Sequence, residues 1–408
     1  MDRRRFLGAA LGAGAFTLTG SFAHAGVLGY LGGRRDEDQP ILVLLELGGG
    51  NDGLNTVVPH ADDAYHAARK RIAHPASKVL DLDGHVGLAP QFVNLRREFG
   101  EGRLAVVQGA GYPEPNRSHF KSMEVWHTGH AEGRDSGPGW IGNLANAMWD
   151  DDVDPNRLVH VGSEVPYSLQ SRRHPALNLK TPENYRWAGN EQDVAAFEPE
   201  PMADTGEVAS QLEFLRGVMR DAKASSLEVR QAVARYRPSV EYPSASIAQS
   251  LAVCAALVDS RIGCRVLSVQ QRSYDTHSNQ VARQATLHEE LDGALDAFVR
   301  DLRAKGNDGP VVVLAYSEFG RRVQENGSQG TDHGTAGPMF LLGSSVQGGL
   351  HGRHPSLTDL DERGDMVFST DFRCVYATVI ERWFGVDPRA VLGDRFTTLD
   401  LLPKRTSR

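Results

Sequence analysis

The stretch ILVLLELGGGNDGLNT, residues 41–56, joins an almost continuously apolar run to a glycine-rich turn that holds Asp52. Such a run without alternation is typical of a strand that is buried on both faces. Similar runs are RLAVVQ (103–108), LVHVG (158–162), CRVLSVQ (264–270), VVVLAY (311–316) and MFLLG (339–343). Strands of this kind occur in parallel sheets that helices cover on both sides.

Helical patterns lie between these runs. The clearest covers residues 280–306, where apolar residues recur three and four positions apart and Gly306 follows the last turn. Residues 244–260 and 371–385 show similar patterns. This alternation predicts an α/β fold, a doubly wound, mostly parallel sheet with helices on both faces.

The amino-terminal residues have the pattern of an export signal. MDRRRFL (1–7) precedes a short run of small and apolar residues, and AHA (23–25) fits a signal-peptidase site. The run is too short and too rich in glycine to span a bilayer, and the arginine pair resembles the twin-arginine type, which a receptor reads. We predict a twin-arginine signal over residues 1–25, the twin-arginine export machinery as a partner, and a periplasmic or otherwise exported mature chain. The alternative is a disordered basic segment.

Composition limits the classes of protein that fit residues 26–408, which we expect to form one domain. The formal net charge of −8, with 24% charged and 40% hydrophobic residues, is typical of a globular protein. The absence of a basic block argues against a nucleic-acid partner, and no stretch after residue 25 is long and apolar enough for the mature chain to span a membrane. Residues 182–205 carry acids and prolines without periodicity and are predicted to be an inserted loop.

The three cysteines, Cys254, Cys264 and Cys374, lack the spacing of a zinc site and cannot form a disulfide framework. A metal site in this chain would therefore depend on oxygen and imidazole ligands.

Ligand-type residues lie beside the predicted strands. Ligands of open α/β sheets bind at the carboxyl ends of the strands, where carboxylates and imidazoles suit hard to borderline divalent ions. We predict one or two ions of zinc, manganese, magnesium or calcium. The predicted ligands are Asp52, Asp275, His277, Glu318, Asp332 and His333, and Ser118 and His119 follow the strand at 103–108.

Structural roles are the alternative for several of these residues. The alternatives are a turn at Asp52, a helix N-cap at Ser118, a turn cap at Asp275, and an ion pair from Glu318 to Arg321 or Arg322.

Several motifs together resemble a large bacterial family that is catalogued as a domain of unknown function and grouped with the alkaline phosphatase and sulfatase superfamily. They are the twin-arginine signal, GGGNDGLNT, RSHF, YDTHSNQ, SEFGR and GTDHG. The resemblance covers nearly the whole mature chain and implies an alkaline phosphatase-like fold. It also implies a metal-binding aspartate at Asp52 and a nucleophile at Ser118 that caps a helix. Trp-His-Thr-Gly at 126–129 matches a Trp-x-Thr-Gly of alkaline phosphatases near the end of that helix.

The chain also departs from that superfamily. Asp275 and His277 are closer together than the usual pair, and Glu318-Phe319 stands where an Asp-His pair is expected, so one imidazole is missing. The segment DHGTAGPMFLLG places His333 as the last histidine of the superfamily. These departures imply that one of two metal positions is weak or empty.

The expected function is an exported, metal-dependent hydrolase of phosphate or sulfate esters that acts on a small anionic ester. Ser118 would be the nucleophile and Arg117 would hold the anionic oxygens. The C/S-x-P-x-R motif of type I sulfatases, Walker A and G-x-S-x-G are absent, and SHFK (118–121) lacks the companion K-T-G of penicillin-interacting enzymes. The alternative is a non-catalytic cell-envelope binding or assembly protein with a degenerate metal site.

Replacing Arg4 and Arg5 with lysines should leave the precursor in the cytoplasm, because the export receptor reads the arginine pair. Cell fractionation with immunoblotting measures this, and the mature form should start near Gly26. The same exchange at Arg34 and Arg35 is the matched control and should leave export intact. Normal export of the Arg4/Arg5 variant would exclude the twin-arginine route.

Overall fold

The computed structural model describes residues 39–130, 137–179, 225 and 227–404. The predicted signal peptide at 1–25 and the predicted loop at 182–205 lie outside the described residues. Within the described ranges, no helix combines the length and the apolar character that crossing a membrane requires.

A large central sheet organises the described part of the chain. The strands are β1 (Ile41–Leu47), β2 (Val57–Val58), β3 (Leu80–Asp81), β4 (Gly87–Leu88), β5 (Leu104–Gly111), β6 (Leu158–Val161), β7 (Leu177–Leu179), β8 (Val266–Gln271), β9 (Val311–Tyr316), β10 (Gly337–Leu342), β11 (Gly349–His351) and β12 (Thr370–Asp371). The sheet has the order β11-β5-β10-β9-β1-β8-β6-β7, with β12 beside β5. The short strands β2, β4 and β3 form a separate small sheet.

Most neighbours in the central sheet are parallel, as the sequence predicts. β1 pairs in parallel with β8 and β9, and β6 pairs in parallel with β7 and β8. β10 is the exception, because it runs antiparallel to both β9 and β5. The apolar sequence of β10 gives no indication of this reversal, since a strand buried on both faces has the same composition in either direction.

Helices of the described residues are α1 (Asp63–Ala68), α2 (Val93–Gly100), α3 (His119–Thr128), α4 (Trp140–Trp149), α5 (Ser246–Ser260), α6 (Gln280–Ala304), α7 (Phe372–Thr378) and α8 (Pro388–Leu392). A π-helical turn over Val379–Trp383 continues α7. Residues 227–235 are also helical. The 3₁₀ turns lie at Gly53–Asn55, Ala76–Lys78 and Tyr167–Leu169.

The alternating side chains of β1 build the core on both faces of the sheet. Val43 and Leu45 pack in a cluster with residues of α2, α5 and α6. Leu42 and Leu44 point the other way and pack with residues of α3, α4, α7 and α8. Helices therefore cover both faces, which confirms the predicted doubly wound α/β architecture.

The reversed direction of β10 decides which loops meet. β5 and β9 both run antiparallel to β10, so they are parallel to each other, and the first residue of β10 lies at the edge where β5 and β9 end. β1 and β8 end at this edge too, because they run parallel to β9. The loops after these four strands and the loop before β10 therefore converge on one edge of the sheet.

Candidate metal centre

Three histidines and an aspartate converge at this edge. His119 opens α3, Asp275 and His277 lie between β8 and α6, and His333 precedes β10. Nε2 of His333 lies 3.1 Å from Asp275 Oδ1 and 3.0 Å from His277 Nε2. Nε2 of His277 lies 3.0 Å from the same Oδ1, and Nε2 of His119 lies 3.8 Å from Asp275 Oδ2. Ligand atoms of His119, Asp275 and His333 all lie within 4.8 Å of one another.

The other ring nitrogen of each histidine faces an oxygen acceptor. His119 Nδ1 lies 2.8 Å from Glu318 Oε1, and His277 Nδ1 lies 3.2 Å from Asp332 Oδ1. His333 Nδ1 lies 2.8 Å from the backbone carbonyl oxygen of Arg117. In the neutral imidazole each Nδ1–H then donates outward, which leaves the Nε2 lone pair directed into the cluster.

The donors of this cluster suit a single divalent ion. Two Nε2 lone pairs that face each other at 3.0 Å repel unless a metal ion or a proton lies between them. Ligand atoms around a tetrahedral zinc ion are about 3.3 Å apart, given bonds of about 2.0–2.1 Å. The separations of 3.0, 3.1 and 3.8 Å bracket that value. Imidazole nitrogens with one carboxylate fit a borderline ion such as zinc or manganese.

A buried guanidinium holds the loops around the cluster in place. The Arg321 side chain is 0% exposed, and its Nη2 lies 2.6 Å from Asp275 Oδ1. It donates from Nε to the carbonyl of Gly50 at 2.6 Å and from Nη1 to the carbonyl of Thr331 at 2.9 Å. Arg321 thus joins the loop after β1, the loop after β8 and the loop before β10, while it also places a positive charge beside the cluster.

Glycines allow the close approach of these loops. Gly49 has a φ of +120°, and a Cβ there would lie 2.5 Å from the amide nitrogen of Asp275. A Cβ at Gly330 would lie 2.3 Å from the carbonyl carbon of His277. A larger residue at either position would push the ligand-bearing loop away.

Electrostatic surroundings affect the protonation of each ligand-type residue in the cluster differently. Burial raises the pKa of the Asp275 carboxyl, but the hydrogen bond from the Arg321 guanidinium and its positive charge oppose this effect, and the pKa is about 2. Burial lowers the pKa of His333, which therefore stays neutral near pH 7. The hydrogen bond to Glu318 raises the pKa of His119. Protons therefore compete with a metal at His119, so metal affinity falls as the pH falls.

Ser118 is the N-cap of α3 and directly precedes His119 of the cluster in the chain. Its neighbours in the chain are Arg117, whose carbonyl holds His333, and the ligand-type residue His119. The Ser118 side chain is exposed and makes no capping hydrogen bond within the described part of the chain. The N-cap alternative therefore does not account for this hydroxyl, which lies at a helix end that favours anions.

Asp52 lies apart from the cluster contacts. Its Oδ2 lies 2.6 Å from Arg69 Nη1, and both side chains are 0% exposed. Its Oδ1 accepts the amide of Leu54 at 3.1 Å and so caps the turn that follows. Gln280 donates to the same carboxylate. These contacts agree with the alternative in which Asp52 has a structural role at a turn. They also occupy the carboxylate oxygens that a metal ion would need.

The other predicted ligands fall into two groups. Asp275, His277 and His333 contribute atoms to the cluster, whereas Asp332 and Glu318 contact Nδ1 atoms from outside it. Glu318 is 1% exposed and also accepts the amide of Gly49 at 2.9 Å, rather than pairing with Arg321 or Arg322.

His119 supplies the imidazole that is missing after Glu318. It is not among the ligands predicted from the sequence, although it directly follows Ser118 in RSHF, on the segment that comes after β5. Its position beside Ser118, on the segment that follows β5, was the feature of the sequence that could have indicated a ligand.

The chain belongs to the family described as Protein of unknown function (DUF1501), whose model matches residues 105–393. The match includes the histidine cluster and Ser118 and begins after GGGNDGLNT. The family description specifies no reaction. A search of curated proteins found no significant match.

Solved structures of similar fold share little sequence with the chain. Ps i-CgsB in complex with k-i-k-neocarrahexaose is 10% identical with a TM-score of 0.43, over 89% of this chain and 75% of that chain. A protein in the alkaline phosphatase superfamily from Vibrio parahaemolyticus is 7% identical with a TM-score of 0.34, over 78% of this chain and 63% of that chain. The C-terminal periplasmic domain of EcEptC from Escherichia coli, in complex with Zn, is 8% identical with a TM-score of 0.34, over 76% and 74%. Such values describe a distant likeness of chain path and do not indicate an activity.

Asp52→Asn should lower the free energy of unfolding by about 3–5 kcal/mol, because it leaves the buried Arg69 charge without its partner. Asparagine can still cap the turn, so the variant isolates the effect of the charge. Urea denaturation measures the stability, and elemental analysis of the same samples measures bound metal, which should stay unchanged.

Asp150→Asn is the matched control for this variant, because Asp150 pairs with Arg173 at the surface, where both side chains are exposed. It should cost less than about 1 kcal/mol. Loss of metal from Asp52→Asn with unchanged stability would show instead that Asp52 is a ligand.

Proposed function

We propose that this member of the DUF1501 family is a metal-dependent hydrolase of phosphate or sulfate esters. The observation that carries the proposal is the exposed Ser118 side chain at the start of α3, which directly precedes His119 of the cluster in the chain. A nucleophile, a cation site and a helix N-terminus together are the components that ester transfer from an anionic group requires.

Each residue would have a defined task in this reaction. A divalent ion held by His119, Asp275 and His333 would polarise an ester oxygen and lower the pKa of a nearby hydroxyl. Ser118 Oγ would lose its proton to solvent and bond to the phosphorus or sulfur atom as the bond to the ester oxygen breaks. The departing alkoxide would take a proton from solvent and leave as the alcohol. Water would then hydrolyse the serine ester and restore the hydroxyl. The Arg117 guanidinium, whose side chain is 29% exposed, would hold the anionic oxygens.

The surroundings of the cluster support a small anionic ester as the substrate. The side chains of His119, His277 and Asp275 are 35%, 44% and 45% exposed, so an ester can reach them. We further propose one ion, or two if a weaker position is filled, and export of the mature chain to the periplasm or beyond by the twin-arginine route.

A non-catalytic cell-envelope binding or assembly protein with a degenerate site is the second candidate. The observation that favours it is the position of Arg321, because its guanidinium already supplies a positive charge 2.6 Å from Asp275 Oδ1. In that role the charged cluster would hold the loops together without a metal ion.

Ser118→Ala should reduce hydrolysis on the order of a hundredfold or more, because it removes the attacking oxygen. Its stability should fall by less than about 1 kcal/mol, since the hydroxyl makes no capping bond among the described residues. Ser118→Asp should be equally inactive and should also repel the anionic substrate. The measurement is turnover of aryl phosphates, phosphodiesters and aryl sulfates by the metal-loaded chain, with melting temperatures alongside.

Ser260→Ala is the matched control, since Ser260 ends α5 and precedes the start of β8 at the opposite edge of the sheet. This variant should keep full activity. Activity that survives in both Ser118 variants would refute the nucleophile. A metal-loaded wild type that hydrolyses none of these esters would favour the binding protein.

A further inference from the structure

Two arginines beside the cluster share one buried carboxylate. Arg117 Nη1 lies 3.2 Å from Asp365 Oδ2, and Arg322 Nε lies 3.4 Å from Asp365 Oδ1. The Asp365 side chain is 0% exposed, whereas the side chains of Arg117 and Arg322 are 29% and 35% exposed. The carboxylate therefore lies beneath two guanidinium groups that both reach solvent.

The arginines keep most of their hydrogen-bonding capacity. Within the described part of the chain, neither oxygen of Asp365 has a partner of hydrogen-bond geometry, although both lie within ion-pair distance. Each guanidinium has five donors, so most of them stay available to a ligand. Among these three side chains, two positive charges face one negative charge.

Backbone contacts place both arginines against the histidine cluster. The carbonyl of Arg117 accepts the Nδ1–H of His333 at 2.8 Å. The amide of Arg322 donates to the carbonyl of Asp332 at 3.0 Å, and Arg321, its neighbour, forms a β-bridge with His333. Because both backbones contact the cluster, an anion held by the guanidinium groups would lie within the length of an arginine side chain of an ester bound there.

We propose that Arg117 and Arg322 form a clamp in which Arg117 holds the group that is cleaved and Arg322 holds a second anionic group of the substrate. This inference rests on the proposed function and specifies its substrate class, an ester that carries a carboxylate, sulfate or phosphate beside the group that is cleaved. Arg117 lies next to Ser118 and contacts the reacting group, whereas Arg322 binds the second anion by charge-assisted hydrogen bonds.

Binding of two small phosphonates to the metal-loaded chain tests this clamp. Methylphosphonate carries one anionic group, and phosphonoacetate adds a carboxylate. Wild type should bind phosphonoacetate about tenfold more tightly, as expected for one charge-assisted pair. Arg322→Gln should remove most of this preference and leave methylphosphonate affinity within about twofold, and Arg322→Lys should retain part of it. Isothermal titration calorimetry measures both affinities, with melting temperatures to confirm folding.

Arg300→Gln is the control for the loss of one positive charge. Arg300 pairs with Asp296 on α6, about 30 Å along the helix from its first residue. This variant should keep the wild-type preference.

Three results would overturn the clamp. The first is a wild type that does not prefer phosphonoacetate. The second is an Arg322→Gln variant whose affinity for both phosphonates falls equally. The third is an Arg322→Gln variant in which only the melting temperature changes. The proposed function is decided separately by the Ser118 variants. Hydrolysis that depends on Ser118, without a preference for phosphonoacetate, would support the proposed hydrolase and reject the clamp. A preference for phosphonoacetate that depends on Arg322, without hydrolysis, would support the clamp and reject the hydrolase.

Discussion

The buried guanidinium of Arg321 is the interaction on which the arrangement of this edge depends. It donates to carbonyls on the loop after β1, the loop after β8 and the loop before β10, and it pairs with Asp275. A fully buried charge is tolerated only when carbonyls and a carboxylate satisfy it. The loops that satisfy it are those that carry Asp275, His277 and His333, so the requirement of one charge fixes the positions of several ligand-type residues.

The candidate centre separates exposed reacting atoms from buried supporting atoms. Imidazoles and the Asp275 carboxylate face solvent, while Glu318 and the carbonyl of Arg117 hold the far side of two rings. Orientation of this kind defines which nitrogen carries the lone pair and limits the movement of the ring. The arrangement fits one strong metal-binding position rather than two, because the carboxylate of Asp52 is already paired with Arg69.

Much of the fold could be predicted from the sequence, because apolar runs and helical periodicity report burial directly. The runs at 41–47 and 311–316 are strands with those bounds, and the helix predicted at 280–306 spans Gln280–Ala304. The direction of β10 could not be predicted, since burial on both faces imposes the same composition in either direction. Sequence also placed Asp332 and His333 before a strand, but only the reversal of β10 explains why they reach the same edge as the other loops.

The site was less predictable than the fold, because a ligand-type residue and its partner look alike in sequence. Asp52 and Asp275 both follow strands, yet one is paired with Arg69 and the other faces imidazoles. From the sequence, Glu318 was predicted to be a metal ligand, whereas His119 was not included among the predicted ligands. In the fold His119 Nδ1 lies 2.8 Å from Glu318 Oε1, and a contact between residues so far apart in the chain is not contained in the local sequence pattern.

The most direct test of the central claim, a metal ion held by these imidazoles, is X-ray absorption spectroscopy of the zinc-loaded mature chain and of its His119→Ala variant. We predict about one ion per chain in the wild type, with imidazole nitrogens at about 2.0–2.1 Å. His119→Ala should lose one imidazole from that pattern or lose the metal. A wild type that retains no zinc, or a spectrum with only oxygen ligands that His119→Ala leaves unchanged, would contradict the account.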